Sequence, residues 1–250
     1  MKKIIFKSLI FPLAMLFALI LLWIILAKVI DNEFILPNLQ KTMAEIFALF
    51  SNAEFYHAFF STLFRAFIAF LISFALALIF SYLSWRSEVA KRIISPFISV
   101  VRALPTLAVA LLLVFWANSK VAPVIVSMLV VLPTTFTNLK QAFDSVDNDA
   151  VKMAEFFSVS KKDVFFKVQL PQIAPALYSS IGAGLSLNLK LMVAAEVLSQ
   201  TAYSLGFMLK SAQMYFEIAE MFAIVILIVI VALVIELVFS LLSKKAGKWQ

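Results

Sequence analysis

The sequence of 250 residues contains no cysteine and only four glycines. Without cysteine the chain has no disulfide and no thiolate metal site. With so few glycines it has no glycine-rich loop for phosphate, and the G-x-x-x-x-G-K-[ST] sequence that binds nucleotide is absent. The single histidine, His57, has no paired ligand at metal-binding spacing, and no G-x-S-x-G nucleophile site is present. The sequence therefore predicts no catalytic residue and no metal site.

Charged residues are also scarce, at 14% of the chain, whereas 64% of residues are hydrophobic. A soluble domain is nearer to half apolar and one quarter charged. Lipid is therefore the main solvent of this chain. The formal net charge of +7 is better explained by basic loops on the cytoplasmic side of a membrane than by nucleic acid, so we predict no nucleic-acid partner.

Long apolar runs fill the rest of the sequence. A helix that crosses a bilayer needs about 20 such residues, and its backbone groups must be hydrogen-bonded within the segment. The runs are too long and too continuous for the strands of a barrel. We therefore predict an all-α integral membrane protein with six transmembrane helices, at Ile10–Val29, Ala58–Tyr82, Ile94–Trp116, Pro123–Leu139, Ile173–Leu198 and Ile218–Leu242.

Lysine and arginine are concentrated on one side of these spans. They precede the first span, separate the second from the third and the fourth from the fifth, and follow the sixth. Cytoplasmic loops of membrane proteins carry this excess of positive charge. We therefore place both termini in the cytoplasm, and the even number of spans agrees. The lysines before the first span and after the sixth are Lys2, Lys3, Lys7, Lys244, Lys245 and Lys248.

A segment of mixed charge, residues 144–171, separates the fourth span from the fifth. The pattern of Asp149–Phe157 predicts a short amphipathic helix, which Ser158-Val159-Ser160 interrupts. Ser160 and Asp163 form an S-x-x-D start signal for a second short helix. We expect that helix to end at Leu170-Pro171, because proline disfavours helix in the residue before it.

Two interpretations of this segment remain open on physical grounds. Exposed phenylalanines at Phe156 and Phe157, beside a bend between two helices, would fill a groove on a partner protein. The same pattern is also expected of an amphipathic loop that rests on lipid headgroups.

The polar residues within or near the predicted spans include Arg65, Arg102, Asn188, Lys190 and Glu196. A charge that faces lipid is costly, so such residues normally face the bundle interior or a water-filled cavity. Lys190 and Glu196 are about 600° apart around their helix, so we do not expect them to pair with each other. We take Arg102, Asn188, Lys190 and Glu196 as candidates for a translocation path; Arg65 and Arg102 are alternatively structural or snorkel to the interface.

Two of these candidates have alternative interpretations. Lys190 is either an electropositive contact for an anionic solute or half of a buried ion pair with another helix. Glu196 is either a structural or gating hydrogen-bond partner or part of the path. On the same helix, Ser180-x3-Gly184 and Gly182-x3-Ser186 are pairs of small residues that predict close helix packing.

The segment 144–171 resembles the cytoplasmic signature of inner-membrane permeases of ATP-binding-cassette (ABC) importers, E-A-A-x3-G-x9-I-x-L-P. Setting Leu170-Pro171 on L-P places Ser158 on the glycine and Lys152-Met153-Ala154 on E-A-A. Lys152 therefore replaces the acid, and Ser158 replaces the glycine. We call residues 144–171 the coupling segment.

Further stretches resemble the nitrate/sulfonate/taurine branch of that family, and the similarity extends from about Phe59 to the C-terminus. Each stretch lies at the expected position relative to the predicted helices. They are Thr62-Leu63-Phe64-Arg65 for S-L-x-R, Pro96 with Val101-Arg102-Ala103-Leu104-Pro105 for P…L-R-x-I-P, Val193-Ala194-Ala195-Glu196-Val197-Leu198 for V-x-A-E-x-L, and Ser204-Leu205-Gly206 for S-G-L-G less one glycine.

The resemblance implies a permease subunit of an importer in the bacterial inner membrane, and no enzyme. In that family two permease chains, here expected to be a homodimer, form a pore, and an extracytoplasmic binding protein delivers the solute. A cytoplasmic ABC ATPase dimer binds ATP and Mg²⁺, so this chain itself is expected to hold no cofactor. The N-terminal helix and outer loop occupy residues 1–57, and the permease core occupies residues 58–250. The residues expected to contact the ATPase are Lys152, Met153, Ala154, Glu155, Phe156, Phe157, Ser158, Leu170 and Pro171.

A stand-alone secondary transporter or channel is the alternative, with Lys190 and Glu196 coupling the movement of ions. Against it, no inverted repeat is detectable in the sequence. The solute itself is not identified by the sequence. Lys190 favours a small anion, but in such importers the binding protein usually sets selectivity.

Overall fold

The computed structural model describes residues 2–247, and describes only the backbone of residues 2–10, 12 and 13. Lys2, Lys3, Lys7 and Lys248, on which the predicted orientation partly depends, therefore lie outside the described side chains. Within residues 2–247 the regular structure is helical. The elements are α1 (Lys2–Ile30), α2 (Leu39–Phe50), α3 (Ala53–Arg86), α4 (Glu88–Ala103), α5 (Thr106–Trp116), α6 (Ala122–Asp144), α7 (Asn148–Phe156), α8 (Lys161–Asp163), α9 (Leu170–Ser199), α10 (Leu205–Met214) and α11 (Ile218–Ala246).

Four of the described helices are long and apolar enough to cross a membrane. They are α3, α6, α11 and the continuous helix Lys161–Ser199 that contains α9. The described apolar part of α1, Ala14–Ile30, is shorter, and α4 with α5 forms a bent pair. The prediction of an all-α membrane bundle is confirmed at this level.

The core of the bundle lies where α9 contacts α3, α6 and α11. Glycines allow this close approach, as the small-residue pairs predict. A Cβ atom at Gly182 would lie 2.6 Å from the Phe239 Cβ atom of α11, and one at Gly184 would lie 2.7 Å from the Phe70 ring of α3. The interpretation of these pairs as packing motifs is confirmed.

The predicted third span, Ile94–Trp116, is wrong as a single helix. The chain breaks between α4 and α5, whose axes differ by 86°. Leu104 and Pro105 are both extended there, with ψ angles of 128° and 101°. The cause is local: proline has no N–H to donate, and its ring disfavours the helical conformation of the preceding residue.

The predicted helix end at Leu170-Pro171 is also wrong. Helix α8 continues through a π-helical stretch, Val164–Gln169, directly into α9. The Leu170 N–H donates to the Phe165 carbonyl, five residues back. A π-helical turn widens the backbone just before Pro171, which accommodates a residue that would otherwise clash with the carbonyl four positions earlier. The coupling segment is thereby joined to a membrane helix without a loop.

Candidate functional site

A buried cluster of polar groups joins α3, α9 and the start of α10. Its members are Thr62 and Arg65 on α3, Glu196 near the end of α9, and Gly206 on α10, and we call these four residues the polar node. Glu196 is fully buried and the Arg65 side chain is 13% exposed. Thr62 and Arg65 are three positions apart, so they lie on one face of α3. Three of the stretches that resemble the permease family therefore meet at one point.

The Glu196 carboxylate accepts hydrogen bonds at both oxygens. Arg65 approaches Oε1 with Nε at 2.9 Å and with Nη2 at 2.7 Å. Thr62 Oγ1 donates to Oε2 at 2.9 Å, and the Gly206 N–H donates to the same oxygen at 3.3 Å. Thr62 Oγ1 also accepts from the Leu205 N–H at 3.0 Å. A buried carboxylate needs this degree of compensation, because an unpaired charge in a low-dielectric interior is very costly.

Gly206 is the residue that lets α10 come close enough to donate to Glu196. A Cβ atom at this position would overlap the Glu196 Cβ atom and lie 2.6 Å from the Val197 backbone nitrogen. Backbone cannot move aside as a flexible side chain can, so α10 itself would have to shift.

We therefore expect Gly206→Ala to destabilise the protein by about 1–3 kcal/mol, the usual cost of overpacking. The measurement is thermal unfolding of the purified protein in detergent. Gly247→Ala is the matched control, because an added Cβ atom there comes no closer than 3.7 Å to its neighbours. Equal unfolding curves for the two variants would show that α10 does not need this close approach.

Asn188 provides a second tie between α3 and α9. It is fully buried, and its Nδ2 atom donates to the Ala66 carbonyl of α3 at 2.5 Å. Asn188 lies eight residues before Glu196, which is about 12 Å along the helix. The two contacts fix the relative position of α3 and α9 over more than two helical turns.

Lys190 and Arg102 have different surroundings from the polar node. The Lys190 side chain is exposed on α9 in the single chain, and both interpretations of this residue stay predictions. Arg102, at the end of α4, is exposed and donates to Thr137 Oγ1 at 2.5 Å and to the Pro133 carbonyl at 3.2 Å. Arg102 therefore ties the bent pair to α6. The role of all four candidate residues in translocation stays a prediction.

The coupling segment forms α7, a short connection and the helix that leads into α9. Asp147 caps α7 by accepting from the backbone N–H groups of Asp149 and Ala150. Ser160 Oγ accepts from the Asp163 N–H at 3.1 Å and so caps α8, as the start signal predicts. The Asp163 carboxylate does not complete a capping box with backbone, however; it accepts from the Ser160 hydroxyl at 2.7 Å and pairs with Lys167.

Most of the residues predicted to contact the ATPase are exposed at the tip of this segment. Phe156 and Phe157 are 83% and 71% exposed, and their rings contact each other edge to face. Lys152, in place of the family's acid, forms an exposed pair with Asp149 at 3.5 Å. Ala154 and Leu170 are half-buried. An exposed pair of phenylalanines on a short helix is a surface suited to filling a groove on a partner.

The base of the coupling segment is anchored to the bundle by an aromatic cluster of Tyr82 and Trp85 on α3, Phe143 on α6 and Phe165. The Tyr82 ring lies 5.8 Å from the Phe143 ring and 5.8 Å from the Phe165 ring. Trp85 stacks on Phe143 at 5.5 Å. Such contacts add to the burial of the rings themselves. A force on the coupling segment would therefore reach α3, α6 and α9 together.

Ser158 adopts a left-handed backbone conformation with φ of 55°. Its position is the one that the family pattern fills with glycine. A residue with a Cβ atom loses about 1–2 kcal/mol in this conformation, whereas glycine adopts it freely. Ser158, which departs from the family pattern, therefore holds a strained backbone conformation.

We expect Ser158→Gly to stabilise the bend by roughly 0.5–1 kcal/mol, the gain being reduced by the greater freedom of glycine in the unfolded chain. Amide hydrogen exchange across α7 and α8 measures this locally and should slow. Ser160→Ala is the opposing control, because it removes the cap of α8 and should speed exchange. Faster exchange in Ser158→Gly would contradict this explanation of the bend.

The sequence predicts the polar residues but not how they pair. Arg65 and Glu196 are 131 positions apart in the sequence. The only sequence signals for them are two separate resemblances, to S-L-x-R for Arg65 and to V-x-A-E-x-L for Glu196. The contribution of Gly206 has a sequence signal, since its position falls on a glycine of the S-G-L-G stretch. The aromatic cluster has no signal in a chain with 26 phenylalanines.

The described residues thus define a class: a multi-pass helical membrane protein with a buried ion pair in its core and a two-helix segment protruding from one end. Residues 74–247 match the family described as the binding-protein-dependent transport system inner membrane component. Because this match covers more than half of the chain, the protein belongs to that family. The predicted recognition of an ABC importer permease is confirmed.

Relatives and solved structures agree with this assignment. A probable ABC transporter permease protein of Brucella abortus (strain 2308) is 23% identical over 217 residues, covering 86% of each chain. The taurine transport system permease protein TauC of Escherichia coli (strain K12) is 24% identical over 164 residues, covering 65% of this chain and 59% of that protein. A putative aliphatic sulfonates transport permease protein, SsuC of Bacillus subtilis (strain 168), is 23% identical and covers 76% of this chain and 68% of its own. These two names agree with the predicted branch.

Among solved structures, the fold is similar to an inward-facing conformation of the MetNI methionine ABC transporter. That match has a TM-score of 0.64 at 15% identity and covers 76% of this chain and 94% of the other. An amino acid ABC transporter with histidines matches with a TM-score of 0.60 at 21% identity, covering 82% and 96%. The all-helical permease fold therefore agrees with the assignment from sequence.

This chain is accordingly a permease component of an ABC importer, in the inner membrane, rather than an enzyme. The description of the family is of a transport system that depends on a binding protein. The alternative of a stand-alone secondary transporter or channel is therefore wrong.

Proposed function

We propose that the coupling segment, residues 144–171, is the contact through which a cytoplasmic ABC ATPase dimer drives this permease. The observation that carries the proposal is the exposure of Phe156 and Phe157 at a bend whose base is anchored in the core. Two phenylalanines exposed to this extent cost free energy in water, and a groove on a partner would bury them. Although Lys152 and Ser158 depart from the family pattern, the coupling segment retains the spacing of that pattern, its second alanine and its final Leu-Pro at Leu170-Pro171.

Rigid contacts support a path for the coupling through the bundle. The π-helical stretch continues into α9 without a loop, and the aromatic cluster holds it against α3 and α6. The polar node then holds α3, α9 and α10 together at the other end of the bundle. Because the polar node is buried and hydrogen-bonded and the rings of the aromatic cluster pack against each other, we propose that a displacement of the coupling segment moves these helices as one body. The bend at Leu104-Pro105 is where the pair α4–α5 can change its angle relative to them.

The membrane topology is proposed from the described helices and from the distribution of lysine and arginine. We propose six spans, counting α1 and the bent pair α4–α5 as one span each, with both termini in the cytoplasm. The regions 1–57 and 58–250 are then the N-terminal helix with its outer loop and the permease core. Two such chains, as a homodimer, surround the path, and an extracytoplasmic binding protein delivers the solute.

For the solute we propose a small polar molecule of the sulfonate type, on the basis of relatives named for taurine and aliphatic sulfonate transport. The exposed Lys190 and Arg102 are the candidate contacts for a solute of negative charge. Glu196 and Asn188 are proposed to act through helix packing, since both are fully buried in contacts with α3.

Co-purification tests the proposed function. The full chain, tagged and isolated from membranes in mild detergent, should bring down a subunit with a P-loop, identified by mass spectrometry. Reconstituted together with a sulfonate-binding protein, the complex should take up taurine only when ATP is supplied. An active preparation that contains no ATPase subunit would contradict the proposal.

A further inference from the structure

The exposed surface of this chain changes character between one helix and the next. On α3 the exposed side chains in the span are large and apolar, as at Phe64, Phe67 and Ile79. On α6 the exposed positions include Thr134 and Gln141, and exposed Ser145 follows directly after the helix. Apolar side chains are favourable on a surface that faces lipid, whereas polar side chains within a span normally face protein or a water-filled cavity. Exposed Thr134 on α6 and exposed Lys190 on α9 therefore indicate a surface that is turned away from lipid.

A groove lies between α6 and α9 at the end of the bundle that carries α7. It is an open, shallow groove with a volume of about 410 Å³. Its polar lining residues are Asn138, Gln141, Ser145, Ser179 and Ser180. Among the described residues that line it, none is charged, and neighbouring Lys140 pairs instead with Asp144 at 2.5 Å.

The groove continues towards the exposed lysine of α9. Ser179, Ala183 and Lys190 are exposed, and their spacing of four and seven residues keeps them on one face of the helix. Lys190 lies about 16 Å along the helix from Ser179. A solute that leaves Lys190 in the direction of α7 therefore meets small and neutral polar side chains.

We propose that this neutral polar groove is the inner exit of the translocation path, and that it holds the solute through hydrogen bonds rather than through an ionic contact. Side-chain amides offer both donors and acceptors, and hydroxyl groups offer either. An anionic or zwitterionic solute finds partners there, yet no opposite charge retains it. This inference rests on the proposed function, and the occupant of the groove is a hydrated solute. A second permease chain packed into the groove is the competing occupant.

The absence of cysteine from the chain makes the test direct. Single-cysteine variants Ser179→Cys and Gln141→Cys are placed in the groove, in the complete transporter in inside-out membrane vesicles. Ile79→Cys is the matched control, because Ile79 is 52% exposed on α3 and lies beside Phe165 and Leu170 at the same end of the bundle. The probe is a charged methanethiosulfonate, which reacts only with a thiolate in contact with water.

We expect both groove variants to react roughly tenfold or more faster than Ile79→Cys, because a thiol in lipid is neither hydrated nor ionised. Rates equal to that of Ile79→Cys would overturn the proposal. So would efficient disulfide formation between two Ser179→Cys chains under mild oxidation, since a disulfide requires the two Cα atoms to be within about 7 Å and so places a second chain in the groove. Faster reaction in right-side-out vesicles would also overturn it, because the groove would then open outwards.

Co-purification of the ATPase from the same vesicles separates this inference from the proposed function. If the ATPase is present and the groove is unreactive, only the inner exit is wrong. If the ATPase is absent from an active transporter, the proposed function itself fails, whatever the labelling rates.

Discussion

Replacing Arg65 with methionine is expected to destabilise the protein by about 3–5 kcal/mol, the cost of leaving a buried charge without its partner. Glu196 is fully buried, and Thr62 and Gly206 alone would then have to compensate its carboxylate. Methionine retains much of the volume of the arginine stem, so the loss arises from charge rather than from a cavity. The measurement is the thermal unfolding of the purified protein, together with the yield of folded protein from membranes.

A double variant makes this prediction specific. Arg65→Met with Glu196→Gln removes both charges, while the glutamine oxygen still accepts from the Thr62 hydroxyl and the Gly206 N–H. We expect the double variant to recover more than half of the lost stability, because a neutral pair costs far less to bury than a single charge. The resulting double-mutant cycle gives the coupling between the two residues.

Lys91→Met is the matched control for the ion pair. Lys91 pairs with Glu88 at 3.0 Å, but both side chains are exposed, at 44% and 73%. An exposed pair of this kind contributes about 1 kcal/mol or less. If Arg65→Met cost no more than Lys91→Met, the polar node would not be the structural tie between α3 and α9 that its geometry indicates.

The second large effect is expected at the tip of the coupling segment. Phe157→Asp should abolish ATP-driven uptake while leaving the protein folded in the membrane. The side chain is 71% exposed in the isolated chain, so the substitution removes little packing within the fold. In a groove on a partner, however, a carboxylate would be buried without a counter-charge, which costs several kcal/mol. Phe156→Asp is expected to act in the same way.

Two measurements on the same membranes check this prediction: uptake of the transported solute, and the amount of ATPase that co-purifies. Tyr215→Asp is the control, since Tyr215 is 74% exposed at the other end of the bundle. Its co-purified ATPase should equal that of the parent protein. Normal uptake and normal ATPase binding in Phe157→Asp would show that the coupling segment does not dock through these rings.

How far the sequence predicts the structure depends on the range of the interactions involved. The break at Ser158-Val159-Ser160 and the cap formed by Ser160 are predicted, because both depend on residues a few positions apart. The long spans are predicted from their apolar composition. The partner of Glu196 is not, since nothing local in α9 specifies a residue on α3, and only the folded bundle brings Arg65 to it.

Pro105 and Pro171 show where predictions from the sequence differ from the structure. Pro105 breaks a helix that apolar composition alone predicts as one span, and the axis turns by 86°. Pro171 does the opposite: the rule for the residue before proline predicts an end, yet the helix continues because a π-helical stretch precedes it. In the first case the chain continues in a new direction. In the second, packing of Phe165 and Val164 against the bundle favours continuation.

Site-specific photocross-linking tests whether an ATPase binds this permease at the coupling segment. Phe157 is replaced with p-benzoylphenylalanine in the complete transporter, and the same replacement is made at Tyr215. We predict a cross-linked product at Phe157 that contains a P-loop peptide by mass spectrometry, and no such product at Tyr215. An active transporter in which Phe157 cross-links only to lipid would show that the ATPase does not bind at the coupling segment.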